Sequence, residues 1–330
     1  MSNQTAPRGL VILAFAAIYL IWGSTYLRIG FAVQTIPPHI MAGIRFALSG
    51  AVMYAFLRWR GVPNPKRVHW RSALIISIFL LGLGNGSVSW AETMVPTGLA
   101  ALVIAITPLW MVLMEWLRPN GIKPRTSVFV GIALGFVGMA LLIGPSALGL
   151  DHPINLVGVA IIISASLSWA FGSIYSRQAQ LPESPFMLTA MEMLLGGLFL
   201  LGMSVILNEW NGFQVANVST LSLAALLYLI VIGSFVAFTA YVYLLQVSTP
   251  AKISTYAYVN PVVAVFLGWA LNGETITPIT FVAAAITILG VAIITYFNTR
   301  PQPKRETPPL PLEKERVPRV ALDEPKTAHR

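Results

Sequence analysis

The chain has 330 residues, of which 56% are hydrophobic and only 10% charged, against roughly 25% charged in an ordinary soluble domain. That balance excludes a soluble globular protein, and the absence of cysteine excludes disulfide and thiol chemistry. A net charge of +9 would suit nucleic acid, but the basic residues fall in short loops and the tail. That distribution is membrane topology, so the expected partner is the lipid bilayer and no nucleic acid.

Apolar segments of about the length a bilayer core requires recur along the chain. They run roughly over Leu10–Gly30, Pro38–Leu57, Ser72–Ala91, Gly98–Leu117, Ser127–Gly144, Ile154–Ser176, Phe186–Leu207, Leu221–Val247, Ile253–Asn272 and Ile279–Phe297. The first is too long for a signal core and lacks a small-x-small cleavage site, so it reads as a span. The third and fourth are separated only by the short Glu92–Thr97 connection. Merged, they would be about twice the length a bilayer needs. After Phe297 the composition turns to proline and charge, which cannot bury a core, and a disordered cytoplasmic tail over 298–330 is expected.

Lys and Arg orient the spans. With the N-terminus in the cytoplasm, the inner loops collect Arg58, Arg60, Lys66, Arg67, Arg71, Arg118, Lys123, Arg125, Arg177 and Lys252. The outer loops collect Asp151, Glu209 and Glu274. Both termini are therefore expected in the cytoplasm.

Gly23-Ser24-Thr25-Tyr26-Leu27-Arg28 returns as Gly172-Ser173-Ile174-Tyr175-Ser176-Arg177. Gly50 echoes in Gly197, Gly84 in Gly233, and Thr107-Pro108 in Asn260-Pro261. Self-similarity at a nearly fixed offset marks two copies of one unit. Five spans separate the copies, an odd number, so they insert in opposite directions, the arrangement of many secondary transporters. The expected fold is an all-α membrane protein: ten transmembrane helices as two inverted five-helix repeats, 10–144 and 154–297.

Ile21–Tyr26, Met41-Ala42-Gly43-Ile44-Arg45-Phe46 and Pro96–Ala101 resemble the first EamA repeat of the drug/metabolite transporter superfamily. Tyr256–Val265, followed by Gly273-Glu274, resembles the second, and Gly84-Asn85-Gly86 and Ser168–Ser173 fit an inner-membrane permease branch. Arg118-Pro119-Asn120-Gly121 stands where the first repeat would repeat that Gly-Glu pair. The resemblance implies an exporter in the bacterial inner membrane, working by alternating access around a central cavity.

Few residues inside the spans could carry chemistry. Arg45 lies about two turns inside the second span, as a gate or carboxylate-binding group or as an anchor for helix-end carbonyls. Glu192 occupies the corresponding place in the seventh, at a mirrored depth that argues against a direct bridge to Arg45. It is the first candidate for proton coupling, because a carboxylate held out of water can bind and release a proton near neutral pH; the plainer reading is a packing residue. Glu115 sits one turn from Arg118 and is a weaker candidate. Glu92, at the outer end of the third span, is a candidate partner for Arg28 or Arg45 in closing the outer face.

Pro108 and Pro261 are expected to interrupt the fourth and ninth spans at matching points and free carbonyls there. Tyr256 and Asn260 share a helix face. With Trp22, Asn85, Trp90 and Trp169 they would form a mostly aromatic cavity with a few polar handles, suited to an amino acid or an amphipathic or aromatic metabolite. For each Trp the alternative is the interfacial belt, to which Trp59, Trp70, Trp116 and Trp210 are assigned. Gly131, Gly135 and Gly138 form a small-residue face for helix packing, with a dimer contact as the sharper alternative. A monomer is expected, and no cofactor or metal. Gly82-x-Gly84-x-Gly86 lies inside an apolar span without a preceding strand, so it reads as a hinge and not a nucleotide loop. An uncoupled facilitator, or an intramembrane enzyme, is the alternative function; no H-E-x-x-H or G-x-S-x-G occurs to support the second.

Overall fold

In the computed structural model, residues 7–117, 126–147, 154–248, 253 and 256–298 are described. The Arg118–Gly121 departure, Asp151, Lys252 and the expected disordered tail from 299 onward lie outside the described residues. The helices are α1 (Arg8–Ala32), α2 (Pro38–Trp59), α3 (Arg67–Ser77), α4 (Ser87–Ala91), α5 (Thr97–Ile104), α6 (Thr107–Leu117), α7 (Thr126–Ala147), α8 (Leu156–Ser176), α9 (Pro185–Ile206), α10 (Thr220–Tyr228), α11 (Ala237–Val247), α12 (Tyr256–Asn272) and α13 (Pro278–Asn298). Two π-helical stretches join some of these: π1 (Ile78–Gly86) links α3 to α4, and π2 (Leu229–Val236) links α10 to α11.

Among the described residues, seven segments are long and apolar enough to cross a membrane: α1, α2, α3–π1–α4, α5–α6, α8, α9 and α10–π2–α11. Apolar stretches of α7, α12 and α13 are shorter. The third segment begins at Arg67 and not at Ser72, because the polar turn Arg67–Arg71 extends the helix beyond its apolar part. The Glu92–Thr97 boundary is a true turn, closed by bonds from the Thr93, Met94 and Val95 amides to Trp90 and Ala91 carbonyls.

The surface is apolar and the polar groups face inward. Ile12, Val205, Ile206 and Phe281 are among the many exposed aliphatic and aromatic side chains, as lipid contact requires. Several buried hydroxyls return to the backbone: Ser77 donates to Leu74, Ser204 to Leu201, and Ser222 to Phe31. Without water, each such group needs a protein partner.

α2 lies along α9, and α7 along α13. The α2–α9 crossing brings backbones together: a Cβ on Gly50 would strike the Leu194 backbone, and one on Gly197 the Ala47 backbone. Both contacts convert into each other by one step of sequence (47 to 194, 50 to 197). Gly131, Gly135 and Gly138 meet the chain's own Gly290, Leu109 and Thr287, so this small-residue face is filled internally, as the packing reading expects. The first helix of each half packs on the other half: α1 on α12 and α11, α8 on π1 and α6.

The two prolines behave differently. α5 ends at Ile104 and α6 begins at Thr107. The Ile104 carbonyl, which the residue-108 nitrogen cannot serve, takes the Thr107 hydroxyl at 2.6 Å. Pro261, by contrast, lies inside the continuous α12, which corrects the expectation of a second break there. Asn260, one residue before it, braces this region. With its amide nitrogen facing the carbonyls, Asn260 donates to Tyr256 and to Tyr19 of α1, both at 3.2 Å.

Candidate functional site

Two places concentrate polar and aromatic groups. The first is built where α1 meets the second half. Gly23 lets α1 approach α12 so closely that a Cβ there would touch Val263. Trp22, one residue before, then stacks against Tyr256 at 5.0 Å, Tyr241 at 5.2 Å and Phe238 at 5.4 Å between ring centroids. Tyr241 and Tyr256 are themselves 6.3 Å apart, edge to face. Trp22, Tyr241, Tyr256 and Glu192 are all only partly buried. Glu192 of α9 lies within electrostatic range of Tyr241. The group is an apolar surface with phenolic oxygens, a carboxylate and the Asn260 amide near it.

The remaining expected cavity residues are dispersed. Trp169 packs over Gly84 of π1, next to Asn85, whose amide oxygen is buried without a partner. Trp22 has its ring contacts elsewhere, with Phe238, Tyr241 and Tyr256. Trp90 is 42% exposed and sits beside the His39 ring, 6.1 Å away, so it belongs to a helix end and not to the aromatic group. The reason is its place in α4, the last turn before the Glu92 connection.

The second place is one end of the helical body, where the α1–α2, α4–α5, α9–α10 and α12–α13 connections meet. Here acidic residues cap helices across the two halves. Glu209 accepts from the His39 and Ile40 amides at 3.1 Å each and from the His39 ring at 2.6 Å, closing the N-terminus of α2. Glu274 accepts from the Thr97 amide at 2.8 Å, the Thr97 hydroxyl at 2.6 Å and the Gly98 amide at 3.0 Å, closing α5. Both put a negative charge where a helix presents unpaired N–H groups. Gly273 adopts φ 67° to turn Glu274 back toward α5.

Glu92 and Arg45 share this end. Arg45 is 3% exposed. Its Nε donates to Ser234 of π2 at 3.4 Å, and its guanidinium lies 4.7 Å from the Phe46 ring centroid. Among the described residues no ion pair joins it to Glu192, and the ion pair formed at this end is His39–Glu209. The expected Glu92 pairing with Arg28 or Arg45 is likewise not formed: both Glu92 oxygens are buried without a hydrogen-bond partner. Arg28 is engaged elsewhere, 5.1 Å over the Tyr228 ring, whose hydroxyl is 2.8 Å from Ser24.

The π-helices are what sequence reasoning missed. They occupy matching places in the third and eighth spans, and each bears on a candidate residue, Trp169 on π1 and Arg45 on π2. One extra residue per turn re-aims side chains, a device frequent at functional sites. Its traces in the sequence were the Gly84–Gly233 echo and the Gly82-x-Gly84-x-Gly86 run, which falls inside π1.

A body of many apolar helices with inward polar groups and helix ends tied across two halves is the fold of a multi-pass membrane protein. The EamA-like transporter family model matches residues 9–144 and 156–296, and the chain belongs to that family. It is 40% identical over 285 residues to the uncharacterized inner membrane transporter YedA of Escherichia coli (strain K12), covering 86% of this chain and 89% of the relative. A WAT1-related chloroplastic protein of Arabidopsis thaliana is 26% identical over 284 residues, 84% of this chain and 67% of its own. The uncharacterized transporter YvbV of Bacillus subtilis is 24% identical over 295 residues, 89% of this chain and 93% of its own. A crystal structure 20% identical in sequence aligns with a TM-score of 0.59 over 89% of this chain and all of its own, a likeness of fold. The chain is thus an EamA-type transporter of the drug/metabolite superfamily, a multi-pass protein of the inner membrane.

Proposed function

We propose that this protein is a secondary active transporter that exports a small metabolite by alternating access between two inverted five-helix repeats. All ten apolar helical segments would cross the membrane, with the basic end and both termini in the cytoplasm and the Glu209–Glu274 end outside. The observation that carries the reading is the aromatic group of Trp22, Phe238, Tyr241 and Tyr256, with Glu192 beside it, at the contact of α1 with the second half. A partly exposed apolar surface with a few polar handles suits an amphipathic or aromatic compound, amino acids included. These groups offer a binding surface and no nucleophile activated by a base, which is what an enzyme would need.

The reciprocal contacts Gly50–Leu194 and Ala47–Gly197 support two repeats related by a twofold operation, on which rocking motion depends. Glu192 is the candidate for carrying a coupled proton, and Pro108, with the π-helices, is a candidate point of bending. The working unit is a monomer. Purified protein in liposomes, challenged with a panel of metabolites with and without a pH gradient, tests the reading. Expected are saturable flux and its dependence on the gradient, lost in Glu192→Gln. Compounds that bind without crossing would overturn it, and gradient-independent flux would leave an uncoupled facilitator.

A further inference from the structure

Glu92 follows α4 in the short connection to α5. It is 8% exposed, and neither of its oxygens meets a donor. Beside it lies a cleft of about 370 Å³, lined among others by Gln34, Thr97 and Glu274. Glu274, the other acid at this cleft, has its charge met by Thr97, Gly98 and Asn272. Glu92 has no such set of donors: burial and Glu274 oppose its charge, and only the Gly30 backbone and Arg45 favour it.

The charged and titratable groups around it come from three elements. Tyr26 of α1, Arg45 of α2 and Glu274 of the α12–α13 connection are each within electrostatic range. Burial, reinforced by Glu274, pushes the Glu92 carboxyl well above the usual carboxylate range, outweighing the Gly30 backbone and Arg45. Arg45 is held away by Ser234, yet its Nη1 has no partner. A buried acid and a buried base, each with unused hydrogen-bonding capacity, thus stand near one another unpaired. A neutral acid tolerates that position far better than a carboxylate does.

We propose that Glu92 is a proton-binding site beneath the cleft at the acidic end, occupied in this conformation, and that releasing the proton draws Arg45 from Ser234 onto the Glu92 carboxylate. The proton passes to water in the cleft, and the pair that forms is ionic, with no covalent change. Because Arg45 is parked on π2 of the second half and Glu92 belongs to the first, the exchange alters how α2 is held against π2. The physiological consequence rests on the transporter reading: if that end faces outward, Glu92 reports the external proton to the gate, separately from the coupling assigned to Glu192.

An infrared titration of the purified full chain in lipid tests this without requiring flux. Expected is the carbonyl band of a protonated carboxylic acid persisting to a pH at which ordinary carboxylates are ionised. Glu192 is a second candidate carrier, so the titration is run in a Glu192→Gln background, where the band should remain, vanish on adding Glu92→Gln, and persist to still higher pH on adding Arg45→Gln, where the ionised form has lost its partner. Absence of the band from the Glu192→Gln protein, or its survival when Glu92→Gln is added, would overturn the proposal. Glu92→Asp keeps the test open should Glu92→Gln not fold, since it should retain a band at a shifted titration point. The chain has no cysteine, so a Thr93→Cys reporter can be labelled alone. Its reaction with a thiol reagent, normalised to an exposed Asn211→Cys control, should change with pH only while residue 92 is acidic. Failure of flux would defeat the transporter reading and leave the infrared result standing.

Discussion

Glu209 and Glu274 sit at the same end of the molecule as Glu92, yet the three acids live under opposite conditions. The first two accept backbone amides at the N-termini of α2 and α5, each reaching across from the other half. Glu92 is more buried than they are and accepts nothing. The difference teaches how to separate a structural carboxylate from a candidate functional one. A structural acid has donors that fix its charge, and it stabilises whatever it ties together. An acid without donors costs stability when ionised, so its place in the fold must be held by the rest of the structure.

Breaking the caps should show the largest effect. Glu274→Ala strips the acceptor from two α5 amides and the Thr97 hydroxyl, and is expected to cost about 3 kcal/mol, since hydrogen bonds to a charged group contribute about 1.5–3 kcal/mol. Thermal unfolding in lipid nanodiscs measures it, and Glu274→Gln should recover part of the loss. Glu209→Ala should cost less, about 2 kcal/mol, because Glu209 lacks the further donor that Asn272 gives Glu274. If either variant unfolds as the unmodified protein does, the cap is incidental and the contrast with Glu92 collapses.

Glu92→Gln should move stability in a different manner, through pH. A carboxyl whose pKa is raised in the folded state stays protonated there while the unfolded chain has already released its proton. Its contribution is therefore fully present in acid and declines as pH rises above the ordinary carboxylate range. The variant has no such dependence. It should match the unmodified protein in acid and become the more stable of the two as pH rises, with unfolding temperatures measured across a pH series. A difference that is flat with pH would mean that Glu92 is not held neutral.

Much of this architecture was legible in the sequence. Hydropathy located the helices to within a few residues, because lipid imposes a fixed length on an apolar run. The Gly50–Gly197 echo was legible as a mark of duplication, while the backbone crossing at which both glycines sit is seen only in the structure. What was illegible is non-local or backbone-borne. Glu209 and Glu274 were readable as loop acids, but their caps lie 170 and 177 residues away, and no spacing rule reaches so far. The π-helices carry the same apolar composition as an α-helix, so the change of pitch leaves hydropathy untouched. Pro261 was misjudged because symmetry of sequence was taken as symmetry of conformation. Thr107 and Asn260 do supply matching side-chain donors, but only the first accompanies a break.

Trp22 and Trp90 carry the same comparison over to the aromatic residues and set its smallest expected effect. Both were candidates for one cavity, but Trp22 contacts three rings from the second half, whereas Trp90 stands largely exposed beside His39. Trp90→Phe should change stability by no more than about 0.5 kcal/mol, the usual range for a surface replacement, and should leave substrate affinity unaltered. Trp22→Phe removes the indole edge from Tyr241 and Tyr256 while keeping an aromatic ring. It should weaken binding of an aromatic substrate severalfold, as read by equilibrium binding to the purified protein. If Trp90→Phe weakens binding and Trp22→Phe does not, the binding surface lies at the acidic end, and the aromatic group around Trp22 serves only to pack α1 against α12.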